Sequence, residues 1–216
     1  MKNLILLAPP ATGKGTLAKS LKERYGYRHL STGDMLREAV KKGDELGQEI
    51  SNIMQSGGLV SDEIVYRLLE DELKKDGAYI LDGFPRNIDQ AKKYDEIVNN
   101  LGIESALILV LDIDKEELKT RCTGRRSCPN CGRIYNIYNS EMYPKDGKYC
   151  LDCDSELIWR DDDKIETFEK RYSTYLDLTE PLIEYYSSKG KMFRINAGGK
   201  SEDTLKEALK VLNLGE

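Results

Sequence analysis

Ala8-Pro9-Pro10-Ala11-Thr12-Gly13-Lys14-Gly15-Thr16 follows the apolar run Leu4-Ile5-Leu6-Leu7 and precedes Leu17, Ala18 and Leu21 at helical spacing. The order predicts strand, loop and helix. Such a turn aims backbone N–H groups and a helix N-terminus at one point, and Lys14 adds a mobile positive charge, which together suit a polyphosphate. The match to the general phosphate-loop pattern is imperfect. Ala8 stands where the first glycine is expected, and the hydroxyl arrives at Thr16 rather than at Gly15. An ordinary strand-to-helix turn with a surface lysine shares this local pattern, so the decision rests on the surrounding chain.

The 216 residues can bury a substantial core and are long for one compact domain, which implies a single core carrying insertions. Lys and Arg number 33 against 38 Asp and Glu, giving a net charge of -5 and a pI near 5.2. That balance argues against general nucleic-acid and membrane-surface binders, which reward a positive field. No apolar run approaches the roughly 18 residues of a membrane span. Leu4 to Leu7 leads into the loop rather than into a small-residue cleavage site, which points to the cytoplasm.

Gly26 is a natural stop for the first helix. Tyr27 to Leu30 reads as a second strand that delivers Ser31-Thr32-Gly33-Asp34-Met35-Leu36-Arg37, where Ser31 and Asp34 resemble a capping box. Arg37 sits one turn into that helix, within reach of an anion. Gly57-Gly58-Leu59-Val60 suggests backbone that approaches something flat, and Ser61 opens a further helix. Ala78 to Leu81 is a buried strand ending in Asp82-Gly83-Phe84-Pro85-Arg86. An acid there, beside a phosphate loop on a neighbouring strand, is placed to hold Mg²⁺ through water.

Ala106 to Leu111 is the longest apolar run and marks a strand covered on both faces, as in a parallel sheet. Helix and strand have alternated several times by then, which calls for a doubly wound α/β sheet with ligands at the carboxyl ends of its strands.

The composition then changes. Cys128-Pro129-Asn130-Cys131 and Cys150-Leu151-Asp152-Cys153 enclose 18 residues rich in Tyr, Asn and Gly. Two thiolate pairs at this spacing offer zinc, or iron, a closed tetrahedron; two disulfides are the alternative, disfavoured in a cytoplasmic setting. Cys122 falls outside the set and reads as a buried helical thiol. From Ser127 to Arg160 there are four basic and five acidic side chains, the wrong balance for a nucleic-acid backbone. Tyr135, Tyr138, Tyr143, Tyr149 and Trp159 are therefore expected to fill a small core dependent on metal. A long helix follows, with Phe168, Tyr172, Tyr175, Leu182 and Tyr186 on one face and Pro181 as a kink or a restart. Met192 to Ile195 is the last strand, and Ser201 is expected to cap the final helix.

Taken in order, Gly13 to Thr16, Ser31 to Arg37, Gly58-Leu59-Val60, Asp82 to Arg86, Gly124-Arg125-Arg126, Arg160 to Asp163 and Glu166-Thr167 closely resemble the adenylate kinases, in the long form with a zinc-ribbon lid. The resemblance implies a five-stranded P-loop nucleoside monophosphate kinase. Residues 1–30, 61–124 and 163–216 would form the core, 31–60 a helical AMP-binding insertion and 125–162 the lid. It implies reversible transfer of the terminal phosphoryl group of Mg-ATP to AMP, giving two ADP, by a monomer. By the same resemblance Ala11, Thr12, Gly13, Lys14, Gly15, Thr16, Arg121, Arg125 and Ala197 hold ATP. Thr32, Arg37, Gly58, Leu59, Val60, Gly83, Arg86, Gln90, Arg160 and Arg171 hold AMP. Lys14, Asp82, Arg86, Arg121, Arg125, Arg160 and Arg171 surround the transfer, Asp162 and Asp163 tether the closed lid, and Cys128, Cys131, Cys150 and Cys153 bind structural zinc. Ala8, Ala11 and Ala197 stand where the family usually has glycine.

Phosphoryl transfer asks for alignment and spread positive charge more than for covalent chemistry, and the acceptor phosphate is already ionised. A chain whose single histidine is His29 therefore lacks nothing essential. On this reading Arg86 and Arg125 serve turnover and are replaceable at little cost to the fold. The alternatives are a kinase for UMP, CMP or GMP, a nucleotide-binding regulator without turnover, and a zinc-ribbon nucleic-acid module.

Overall fold

The computed structural model describes residues 1–43, 45–55 and 60–214, without the side chains of Leu46, Arg67, Leu68 and Asp71. The expectation at Gly57, Gly58 and Leu59 lies outside the described residues. In chain order the first half contains β1 (Leu4–Leu7), α1 (Lys14–Tyr25), β2 (Arg28–Ser31), α2 (Thr32–Lys42), α3 (Glu45–Gln55), α4 (Asp62–Leu73), β3 (Tyr79–Asp82), α5 (Ile88–Asn100) and β4 (Leu107–Asp112). The second half contains α6 (Lys115–Gly124), β5 (Arg125–Ser127), β6 (Ile134–Asn136), α7 (Ile165–Thr174), α8 (Pro181–Ser187), β7 (Met192–Asn196) and α9 (Ser201–Leu212).

Five strands form one parallel sheet in the order β2-β3-β1-β4-β7. Alternate residues of each strand go to opposite faces, so every central strand must be apolar throughout. Ile5, Leu7, Tyr79, Leu81, Ile108 and Val110 pack under α4, α5 and α8. Leu4, Leu6, Ile80, Leu109 and Leu111 pack under α1 and α9. The two apolar layers make the sheet doubly wound and leave the carboxyl ends of β1, β2 and β3 side by side. No helix among the described residues is long and apolar enough to cross a membrane.

Local sequence explains the element ends. Ser31 accepts a hydrogen bond from the Asp34 amide at 3.2 Å, so it caps α2 as its spacing implied. Asn87 does the same for α5 from the Gln90 amide, at 2.8 Å. Ser201 does not cap α9: Lys200 holds the extended cap position and Ser201 is the first helical residue, one place too late for its hydroxyl to serve. Pro181 both interrupts and restarts its helix. Between α7 and α8 the chain widens into a π-turn over Tyr175–Thr179, in which the Glu180 amide donates to the Tyr175 carbonyl at 2.8 Å. Pro181 then occupies the first position of α8, where its missing N–H costs nothing.

Residues 125–162 leave the sheet at α6 and return at α7. Here β5 and β6 pair antiparallel, and single bridges join Ser127 to Ile158 and Tyr149 to Glu156. Contrary to the sequence expectation, most of the aromatic side chains do not fill this ribbon. Tyr135 is buried with Cys128 and Cys150, whereas Tyr138 is 62% and Trp159 49% exposed, and Tyr143 and Tyr149 also lie at the surface. The cysteines and one tyrosine already occupy an interior this thin.

Candidate active site

The loop after β1 is wound tightly. Ala11 takes a left-handed φ of 64° and Gly13 a φ of 102° at the cap of α1. Thr12 is buried and its hydroxyl donates to the Pro9 carbonyl at 2.5 Å. Lys14 folds back over the loop, donating to the carbonyls of Ala8 at 2.9 Å and Pro9 at 3.1 Å. The first amides of α1, at Lys14, Gly15 and Thr16, have no helical acceptor and face the same hollow. This is an anion cradle at a strand's carboxyl end. Ala8 has no positive φ, so only the alanine at position 11 carries a conformational cost.

Asp82 closes one side of the cradle, its Oδ2 lying 3.8 Å from where a Cβ on Gly15 would stand. The same oxygen lies 3.3 Å from Nε2 of His29 on β2. Burial alone would raise the Asp82 carboxyl, but the His29 contact and the Lys14 charge outweigh it and hold the group below the usual carboxylate range. His29, which the sequence reading left without a role, thus belongs to the site; only a fold that sets β2 beside β3 reveals it.

On the other side of the cradle, Arg121 bridges two loops. Its Nη1 donates to the Thr12 carbonyl at 3.1 Å and its Nη2 to the Gly199 carbonyl at 3.0 Å, while Glu117 pairs with it from the preceding turn. Buried Ala197 lines the cleft beside this bridge. Ile134, Tyr135 and Tyr138 of the ribbon also line it, positions for which no spacing in the sequence gave a signal. Glu141 of the ribbon pairs with Lys200 of the loop before α9.

A second, smaller pocket beside the cleft is equally tight. Thr32, Leu36, Val60, Val65, Gly83, Arg86 and Gln90 line a small pocket. Thr32 donates to the Gly83 carbonyl at 3.0 Å. A Cβ on Gly83, whose φ is +84°, would meet the Thr32 hydroxyl at 2.8 Å and Arg86 Nη2 at 3.1 Å, so glycine is required there. Gln90 is buried, accepts from the Arg86 amide at 2.7 Å and donates to Asp62. Arg37 folds over Gly33 onto Asp34 at the same cleft.

Lys14, Asp82, Arg86, Arg121, Arg125, Arg160 and Arg171, drawn from seven places between residues 14 and 171, line one continuous cleft. Their charges feel one another. Burial and then the field of Arg171 lower Arg86 to about 10, and burial with the fields of Arg125 and Arg37 lowers Arg160 to about 10. Burial lowers Lys14 to about 8, with Asp82 pulling it up and Arg86, Arg171 and Arg125 pushing it down. A cluster of cations that destabilise one another without a ligand is a site built for an anion of high charge.

Two acids organise this cluster. Asp163 is fully buried and takes both a 2.9 Å bond from Arg125 Nε and a second bond from its Nη2. Asp162 accepts from Arg171 Nη1 at 2.9 Å and lies below the ordinary carboxylate range, because Arg171 and Arg125 outweigh the burial that would raise it. Arg126, by contrast, turns away from the cleft to lie 5.3 Å over the Trp159 ring. Because Asp163 is buried against Arg125, replacing the arginine at little cost to the fold, as the sequence reading expects, would require the carboxylate to find another partner.

In the ribbon, the four sulfurs of Cys128, Cys131, Cys150 and Cys153 all lie within 4.8 Å of one another, with 3.4 Å between Cys128 and Cys153 and 3.6 Å between Cys131 and Cys150. A tetrahedral ion bonded to four sulfurs at about 2.3 Å sets them roughly 3.8 Å apart, so the cluster fits one metal ion. The Cys131 and Asp152 amides point at Cys128 and Cys150 at 3.5 and 3.4 Å, orienting the thiolates. Four thiolates fill a tetrahedral shell, so an ion held here would have no open ligand position for water or substrate. Cys122 is buried against Phe168 and Leu118, as its helical position implied.

A family model described as adenylate kinase matches residues 6–191. The chain is 44% identical over 213 residues to an adenylate kinase of Kosmotoga olearia, covering 97% of this chain and 98% of the relative. It is 43% identical to one of Petrotoga mobilis, covering 97% and 96%, and 42% identical to one of Archaeoglobus fulgidus, covering 97% of each. With the phosphate cradle, the convergent arginines and this likeness along nearly its whole length, the chain belongs to the adenylate kinase family.

Proposed function

We propose that this protein transfers the terminal phosphoryl group of Mg-ATP to AMP, reversibly, giving two ADP. The observation that carries the reading is the meeting of Lys14, Arg86, Arg125, Arg160 and Arg171 in one cleft between the phosphate cradle and the small pocket at Gly83. ATP phosphates lie on the amides of Gly13 to Thr16, with Lys14 and Arg121 on their oxygens and Ala197 beside the adenine. AMP lies in the pocket of Thr32, Val60 and Gln90, its phosphate held by Arg37 and Arg86. Arg125, Arg160 and Arg171 spread charge over the three oxygens in transit, which is what a loose transition state rewards. Asp82 would hold Mg²⁺ through water, and the ion would supply charge neutralisation at the phosphate oxygens.

Residues 31–60 and 125–162 close over the nucleotides and exclude water that would otherwise hydrolyse ATP. Cys128, Cys131, Cys150 and Cys153 would hold one zinc, which would keep the ribbon a rigid plate. The Asp162–Arg171 pair ties that plate to α7, and the Arg125–Asp163 pair joins its two ends. The enzyme works as a monomer in the cytoplasm. An acceptor screen with Mg-ATP tests the reading: AMP should exceed GMP, CMP and UMP by roughly a hundredfold or more in kcat/KM. Preference for a pyrimidine nucleotide would replace AMP as the substrate, and no ADP from any acceptor would end the kinase assignment.

A further inference from the structure

The π-turn between α7 and α8 has a specific effect on the cleft. In a regular α-helix, eight residues make about 2.2 turns, so Thr179 would lie roughly 80° around the axis from Arg171. The wider turn over Tyr175–Thr179 winds the chain less per residue and brings Thr179 back toward the face that carries Arg171. Leu176 and Leu178 are partly exposed, at 39% and 41%, whereas Thr179 lines the cleft. Its hydroxyl donates to the Arg86 carbonyl at 2.8 Å, across 93 residues of sequence.

Arg86 is gripped from three sides. Its amide donates to Gln90 at 2.7 Å, its Nε donates to the Gly83 carbonyl at 2.7 Å, and its carbonyl accepts from Thr179. Arg171 is the leading charge that opposes Arg86. Two mutually repelling guanidinium groups hold a fixed spacing only if their backbones are fixed, and the Thr179 bond joins the rod bearing Arg171 to the loop bearing Arg86. We propose that Thr179 is a positioning residue for phosphoryl transfer, and that the π-turn exists to set its hydroxyl on the Arg86 carbonyl and so hold Arg86 at its working distance from Arg171. This rests on the kinase reading above.

The test compares the parent with Thr179→Val, Thr179→Ser, Arg86→Lys and the double variant Thr179→Val with Arg86→Lys, measuring kcat, both KM values and Tm. Loss of one positioning hydrogen bond should lower kcat of Thr179→Val by roughly five- to tenfold. KM for ATP should stay unchanged, since the bond touches the acceptor side, and Thr179→Ser should restore the rate because it keeps the donor. In the Arg86→Lys background, adding Thr179→Val should change kcat by less than about twofold, as coupled residues are not additive. An equal loss in both backgrounds, no loss in either, or no rescue by serine would overturn the proposal. If Thr179→Val does not fold, Thr179→Ala takes its place in the cycle, and failure of that variant to fold as well assigns the bond to the fold and overturns the proposal. No ADP formation by the parent protein from AMP or any other acceptor would instead defeat the kinase reading itself, so the two failures are distinguishable.

Discussion

Arg125 and Asp163 lock the two ends of the cysteine ribbon together: the guanidinium stands where the chain leaves α6, and the fully buried carboxylate where the chain comes back. The pair therefore serves the fold and the reaction at once. Arg125→Ala leaves a buried carboxylate without its partner, at a cost of about 3–5 kcal/mol. Thermal melting should show Tm lowered by roughly 10 °C, beside a large loss of turnover. An unchanged Tm would show that Asp163 finds water or another partner.

Lys14 gives the reaction a pH signature. Its ammonium is lowered to about 8 by burial in the empty cleft, against the pull of Asp82. Because kcat/KM reports the free enzyme, kcat/KM for Mg-ATP should fall above about pH 8, while kcat holds to higher pH once phosphates restore the charge. Asp82→Asn removes the group that raises Lys14 and should move the limb to lower pH. The linked stability has the opposite sense. The unfolded chain binds the extra proton between about 8 and the ordinary lysine value, so stability rises with pH across that window and the penalty is complete below it. Lys14→Met should accordingly raise Tm at pH 7 while abolishing turnover; a lowered Tm would contradict the account of the cleft's charge.

Ala11 holds a left-handed φ of 64° that glycine adopts freely. Its strain of about 1–2 kcal/mol is partly offset by the greater unfolded freedom of glycine. Ala11→Gly should therefore stabilise the protein by roughly 0.5–1 kcal/mol in urea unfolding, with kcat unchanged. Destabilisation would mean that the loop relaxes around the alanine without strain.

The four sulfurs within 4.8 Å predict one metal ion per chain. Elemental analysis of reduced protein should find about one zinc per chain, and chelation should lower Tm because binding energy is folding energy. Protein free of metal with an unchanged Tm would remove the ribbon's proposed support.

The sheet was legible because its signal is local: Leu4 to Leu7 and Ala106 to Leu111 are apolar at every position, which only a strand covered on both faces tolerates. The cleft was legible by family resemblance, since Arg86, Arg121, Arg125, Arg160 and Arg171 each look like ordinary surface residues in isolation. What sequence did not yield are the relationships that need two distant segments. The Arg125–Asp163 lock, the His29–Asp82 contact and the Thr179–Arg86 bond each join groups 38 or more residues apart. The exposed Tyr138 and Trp159 misled for a related reason, because composition reports how much apolar surface a segment has and not how much interior there is to receive it.

The central claim is that one cleft passes a phosphoryl group between two nucleotides. The most direct measurement is ³¹P spectroscopy of the protein with Mg-ATP and AMP. The account predicts that two ADP appear for each AMP consumed, with no inorganic phosphate, and that the mixture returns to ATP and AMP when ADP alone is supplied. Release of inorganic phosphate with AMP left unconsumed would contradict it.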